Sequence, residues 1–151
     1  MELTQKETEL LKDLKTQEKL CVEKYNKYSA VALDPQLKEL FTQIANVEQQ
    51  HFNTVCEMEK GNAPVSNSGG GQGVKSTFSA TYKMGDSADK MADQYLCTDL
   101  LTTEKHASAL YDTCVFEFRS TAMRDALNHI QKEEQQHGKA LYDYMSVNSM
   151  Y

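Results

Sequence analysis

Glu48-Gln49-Gln50-His51 and Glu134-Gln135-Gln136-His137 are the same four residues written twice, and a lone glutamate stands thirty positions before each copy, Glu18 and Glu104. Every member of the second set is displaced from its counterpart by 86 positions. Each His follows its Glu by three, so on a helix the two side chains share a face and can approach one ion. Four carboxylates and two imidazoles arranged this way form the ligand set of a two-metal centre inside a four-helix bundle.

The surrounding apolar residues carry the matching period. Leu10, Leu14, Glu18, Cys21, Tyr25, Tyr28 and Ala32 recur at spacings of three or four, as do Leu37, Phe41, Ile44, Glu48, His51, Val55 and Met58. The second half repeats the scheme with Met91, Cys97, Leu101, Glu104, Ser108, Tyr111, Val115 and Phe118, then Met123, Leu127, Ile130, Glu134, His137, Leu141 and Tyr144. Asp34-Pro35 is a stop and restart signal, Gly61 closes the second stripe, Asp86 or Ser87 can cap the third, and Ser120 or Thr121 begins the fourth. These signals predict helices over about 3–32, 35–60, 87–118 and 121–146, in one domain spanning 1–151.

Between them, about 61–86, Gly-Asn-Ala-Pro leads into a Ser-Asn-Ser-Gly-Gly-Gly-Gln-Gly run without sustained helical period, which reads as a linker. Helices of about 25 residues are roughly 38 Å long, and a linker of about 25 residues extends up to roughly 80 Å. It can run the length of the bundle. The other two turns are tight, so the expected fold is all-α: an antiparallel four-helix bundle of two helical hairpins with one long crossover.

In such hairpins the thirty-residue separation acquires a meaning. Glu18 and Glu48 lie about fifteen residues either side of the turn near Leu33, so both sit about 22 Å from it, and the same holds for Glu104 and Glu134 about the turn near Arg119. Taken singly, each glutamate is a residue that helices usually leave in water. All six, however, fall on apolar stripes, where an unpaired buried carboxylate costs several kcal/mol. Two divalent cations offset four carboxylate charges; otherwise the cluster is a set of buried, partly protonated relics of such a site. Oxygen-rich ligation with one imidazole per metal suits iron or manganese, and the absence of thiolate argues against copper(I) or structural zinc.

Tyr25 and Tyr111 stand seven residues after the lone glutamates. They are either plain core aromatics or groups whose hydroxyls orient the carboxylates of the opposite hairpin. His106 and His129 have no partner in the repeat and are expected at the surface, and Glu133, rotated off the stripe, is expected to be solvated. Cys21, Cys56, Cys97 and Cys114 show neither disulfide nor zinc spacing and read as small hydrophobes, with cross-linking between chains the alternative.

The chain of 151 residues is 40% hydrophobic, enough for a core without disulfides, and its net charge of −6 without a basic cluster argues against nucleic acid or an anionic membrane surface as partner. The N-terminus is charged from its second residue and no apolar run approaches a membrane span or a signal-peptide core, so synthesis and folding in a cytoplasm are expected.

Two resemblances follow from these residues. The paired pattern, with its tyrosine seven positions after the lone Glu, resembles the ferritin and rubrerythrin superfamily over residues of about 10 to 145. That resemblance implies a ferritin-like fold. By analogy with such sites Glu48 and Glu134 bridge two ions, Glu18 and Glu104 are terminal ligands, and His51 and His137 each bind one ion. Related frames store iron, reduce or dismute peroxide, or activate oxygen. More narrowly, Asp99-Leu-Leu-Thr-Thr-Glu-Lys-His, Tyr111-Asp-Thr-Cys-Val-Phe-Glu-Phe-Arg, Arg124-Asp-Ala-Leu-Asn-His-Ile-Gln-Lys-Glu-Glu-Gln-Gln-His-Gly and Tyr142-Asp-Tyr-Met resemble the spore coat protein F family of endospore-forming Firmicutes. Membership implies synthesis in the sporulating mother cell and association with the spore coat; other coat proteins are expected as partners, and a homodimer or higher homo-oligomer is expected.

The chain departs from rubrerythrin-like proteins in lacking rubredoxin-like Cys pairs and in carrying Cys21 and Ala107 where an additional carboxylate stands three residues after each lone Glu. The expected functions are therefore a dinuclear oxidoreductase consuming peroxide or oxygen, a structural coat component stabilised by metal, or an iron-storage cage.

Overall fold

The computed structural model describes residues 2–64 and 73–151. Residues 65–72, which include most of the glycine-rich run of the linker, lie outside the described residues. Four helices account for the regular structure: α1 (Gln5–Val31), α2 (Pro35–Glu59), α3 (Ala88–Glu117) and α4 (Thr121–Val147), with no strand among the described residues.

Each helix begins at a side chain that accepts one of the orphan N–H groups of its first turn. Thr4 accepts from the Glu7 amide, Asp34 from Gln36, Ser87 from Lys90 and Ser120 from Met123. Pro35 occupies the first turn of α2, where its missing N–H has no intrahelical partner to lose. The far end of α2 is closed by Gly61 at φ 83°, with Gly61 N–H donating to Met58 O (2.9 Å) and Asn62 N–H to Glu57 O (3.1 Å). This is a Schellman closure, and its left-handed residue favours glycine.

The pairings across the bundle define its topology. Tyr25 meets Phe41 with ring centroids 5.9 Å apart, and Lys15 bonds Glu59, so α1 and α2 run antiparallel. Tyr25 with Glu104 and Tyr111 with Glu18 make α1 and α3 antiparallel. Glu48 with His137 and His51 with Glu134 do the same for α2 and α4. The order is up, down, down, up, with α1 packed most extensively on α2 and α3 on α4. Because α2 and α3 point the same way, the chain between them must travel the length of the bundle.

The described part of that crossover is held by side chains of the helices. Gln36 Nε2 donates to Ser79 O while Ser79 N–H donates back to Gln36 Oε1, and Asn148 Oδ1 accepts from the amides of Thr81 (2.8 Å) and Tyr82 (3.0 Å). Phe78 packs edge-on against Tyr144 at 5.5 Å. Underneath, Asp93 accepts from the Leu33 and Asp34 amides and from Tyr82 Oη, so α3 caps the turn between α1 and α2.

The stripes of α2 and α4 are buried as their spacing predicts. Those of α1 and α3 are shifted in places. Glu7 and Leu11 are buried where the spacing predicts Leu10, Cys114 is buried where it predicts Val115, and Met91 is 57% exposed while Asp93 is fully buried.

The core falls into two apolar clusters, one at each end of the bundle. Leu37, Phe41, Ile44, Leu100, Leu141 and Tyr144 belong to the first, and Leu11, Leu14, Val55, Met123, Leu127 and Ile130 to the second. Burying each of these side chains contributes about 1.5–3 kcal/mol. Between the clusters, at mid-bundle, lies a layer of glutamates and histidines.

Candidate metal centre

All six residues of the repeated pattern reach this layer. Glu18, Glu48, His51, Glu104, Glu134 and His137 are at most 2% exposed. They form two groups whose potential ligand atoms lie within 4.8 Å of one another: Glu18, Glu48, His51 and Glu134 in one, Glu48, Glu104, Glu134 and His137 in the other. Glu48 and Glu134 belong to both. Each group could hold a metal ion, and the sharing follows from topology, because α2 and α4 face each other across the layer while α1 and α3 each supply one outer carboxylate.

The geometry repeats under the same pseudo-twofold relation as the sequence. His51 Nδ1 lies 3.0 Å from Glu134 Oε1, and His137 Nδ1 lies 3.0 Å from Glu48 Oε1. The two imidazoles stack with centroids 5.9 Å apart. Tyr25 Oη donates to Glu104 Oε1 at 2.6 Å, and Tyr111 Oη donates to Glu18 Oε1 at 2.5 Å. Each hydroxyl therefore fixes one oxygen of an outer carboxylate and leaves the other free.

The free oxygens are the telling feature. Glu18 Oε2, Glu104 Oε2 and Glu134 Oε2 are buried without a hydrogen-bond partner. A buried acceptor left unmade costs about 1–3 kcal/mol, and more when charged. Electrostatics shows the same strain. Burial, and then the charge of a neighbouring carboxylate, pushes Glu18 and Glu134 well above the usual carboxylate range. Burial opposes the ionisation of Glu48 as well, but the adjacent Glu18 carboxyl and the imidazoles of His137 and His51 outweigh it and hold that carboxyl well below the range. Burial would depress both imidazoles; their carboxylate partners instead raise His51 strongly and His137 to about 9. This donor set fits divalent cations: anionic oxygens in excess, unsatisfied, and facing inward beside two imidazole nitrogens.

Glu133 departs from its expected place in solvent. Its side chain is only 18% exposed, and Oε1 lies 3.1 Å from His51 Nε2 and 3.0 Å from His129 Nε2. A carboxylate accepts, so Nε2 carries the proton and the Nδ1 edge of His51 is turned to the cluster. The sequence held a signal for this residue. Glu133 precedes the second Glu-Gln-Gln-His, whereas Val47 precedes the first, so a charged group interrupts the repeat beside the site. His129 and His106 themselves are exposed, as their lack of repeat partners predicts.

The cysteines are all free, with Cys21, Cys97 and Cys114 buried. Burial, aided by the charge of Glu48, Glu18 and Glu104, pushes the Cys21 thiol far up and keeps it protonated beside the cluster. Burial likewise raises Cys114, to about 12.

Fold and layer together define an all-helical bundle protein with a buried carboxylate and histidine cluster able to hold metal. Residues 92–151, which comprise nearly all of α3 and the whole of α4, match the Coat F domain family model. That domain indicates a spore coat protein, made in the mother cell and laid down on the spore. No curated protein and no solved structure matches the chain. Among the described residues no helix is long and apolar enough to cross a membrane.

Proposed function

We propose that the chain is one ferritin-like domain spanning 1–151 that carries a dinuclear centre of iron or manganese and reacts with peroxide or oxygen in the spore coat. The observation that carries this reading is the set of three buried, unpartnered carboxylate oxygens in the shared ligand groups. Glu48 and Glu134, which belong to both groups, would be shared between two ions, with Glu18 and His51 available to hold one and Glu104 and His137 to hold the other. When bound, such ions supply Lewis acidity and a change of redox state. The chain's own residues do the rest. Tyr25 and Tyr111 hold the outer carboxylates in orientation, Glu133 orients His51, and the apolar clusters above and below keep water out.

The six residues supply about eight donor atoms, whereas two six-coordinate ions take about twelve, which leaves positions for a small ligand. The metal content of protein purified without added metal, followed by peroxide and oxygen consumption, tests the reading. Parent protein should carry about two ions and consume oxidant, and Glu48→Ala combined with Glu134→Ala should do neither. Glu18→Ala should disturb the pair less than either bridging variant.

A second reading is favoured by the Coat F match: a structural component, partnered by other coat proteins, in which the metals stabilise the bundle by binding only its folded state. Two bound ions with no oxidant loss beyond that of the double variant would decide for it.

A further inference from the structure

We propose that the centre is reached from one side only, through a groove between α3 and α4 that opens on the ligand group of Glu104 and His137, while the Glu18 and His51 side is closed. The proposal rests on the dinuclear reading and adds to it the route by which metal and small oxidants arrive.

The groove encloses about 580 Å³, and Glu104 and Glu134 are among its lining residues with Leu101, Ser108, Gln131 and Gly138. Two of the three unpartnered oxygens, Glu104 Oε2 and Glu134 Oε2, belong to these carboxylates. Of the four carboxylate side chains in the cluster only that of Glu104 keeps any exposure, 2%, against 0% for Glu18, Glu48 and Glu134.

The opposite face shows why the opening is single. A depression between α1 and α2 encloses about 750 Å³, yet no ligand carboxylate lines it. Displacing the sequence by 86 positions puts Val22 in the place of Ser108 and Phe52 in the place of Gly138, and both Val22 and Phe52 line that depression. A phenyl ring on one face thus stands where the other has a hydrogen atom. The charges agree with this asymmetry. Lys12, Lys15 and Lys19 outnumber Glu23 and Glu59 on the closed face, whereas Glu104, Asp112 and Glu134 outnumber Lys105 on the open one, the sign that favours approach of a cation. His51, moreover, is tied by Glu133, while Val47 at the equivalent position offers no acceptor to His137. The half whose imidazole is tied by a carboxylate is the closed half.

A Cβ added at Gly138 would meet Leu101 Cδ1 at 3.7 Å, an ordinary contact, so the backbone there admits a side chain, which would extend into the groove that Gly138 lines. The test is stopped-flow uptake of Co²⁺ by metal-free protein, followed by the absorbance of the bound ion, in the parent and in Gly138→Phe, which copies the closed face. Both should finish with two ions per chain, but the variant should load slower by about tenfold or more, because the helices must first part. Azide added to the cobalt-loaded proteins should shift the spectrum of the parent at once and that of Gly138→Phe slower by a similar factor. If Gly138→Phe has lost its helical circular dichroism, Ser108→Leu carries the same test. A folded variant that loads and binds azide at the parental rate overturns the proposal. A parent that binds no cobalt overturns the dinuclear reading beneath it.

Discussion

Glu133 differs from the six central residues in having no counterpart in the repeat: it reaches His51 on α2, 82 residues away, while Val47 stands at the equivalent position. A carboxylate on the outer nitrogen of an imidazole fixes the ring and raises the basicity of the inner nitrogen, and losing such a group typically costs roughly 10–100-fold in metal affinity. Glu133→Ala should therefore weaken one of the two ions by about that factor and leave the other near its parental affinity. Calorimetric titration would show two unequal steps drawn further apart. Equal weakening of both ions would count against the asymmetry. The carboxylates and imidazoles themselves were legible in the sequence, because four acids and two histidines on apolar stripes are costly to bury unless cations or protons neutralise them. Glu133 lies one position off that stripe, 100° around the helix, where periodicity assigns it to water. Its burial follows from how closely α2 approaches α4.

At the scale of the helices, α2 and α4 could be read position by position, whereas α1 and α3 could not. Counting back three from Leu14 reaches Leu11 and counting back four reaches Leu10; both are leucines, and only packing selects Leu11. Val115 and Cys114 pose the same choice. Asp93 escaped for a different reason. A search for apolar periodicity passes over an aspartate, and its three donors come from the turn between α1 and α2 and from the crossover. Removing it strands two backbone N–H groups, one of them buried. Asp93→Ala should therefore destabilise the bundle by about 3 kcal/mol. In a chain of this size that corresponds to about 6–12 °C in Tm. Denaturant unfolding of the variant checks it, and a change under about 1 kcal/mol would mean that water replaces the carboxylate without loss.

For the whole molecule, the layer of acids divides one core into two, and ionised carboxylates left unpaired at its waist would oppose folding. Cations held there would bind the folded state alone and stabilise it by about 2.7 kcal/mol at a hundredfold excess over Kd. Chelation should then lower Tm by roughly 5–10 °C at neutral pH. Coincident melting of metal-loaded and metal-free protein would show that protons alone suffice to hold the layer.

By itself the sequence determined four helices, the position of two tight turns and one long crossover, and the six residues that meet at mid-bundle. Each of these depends on spacing along one chain, and helical rise converts spacing into depth. The reach of Glu133 to His51 and the groove lined by Glu104 and Glu134, with no counterpart lined by Glu18, were decided by tertiary structure. These depend on distances between helices and on which of two repeat-related residues, Phe52 or Gly138, lines each face. A repeat in sequence carries the symmetry of the fold; only packing shows where small differences between its halves open one face and close the other.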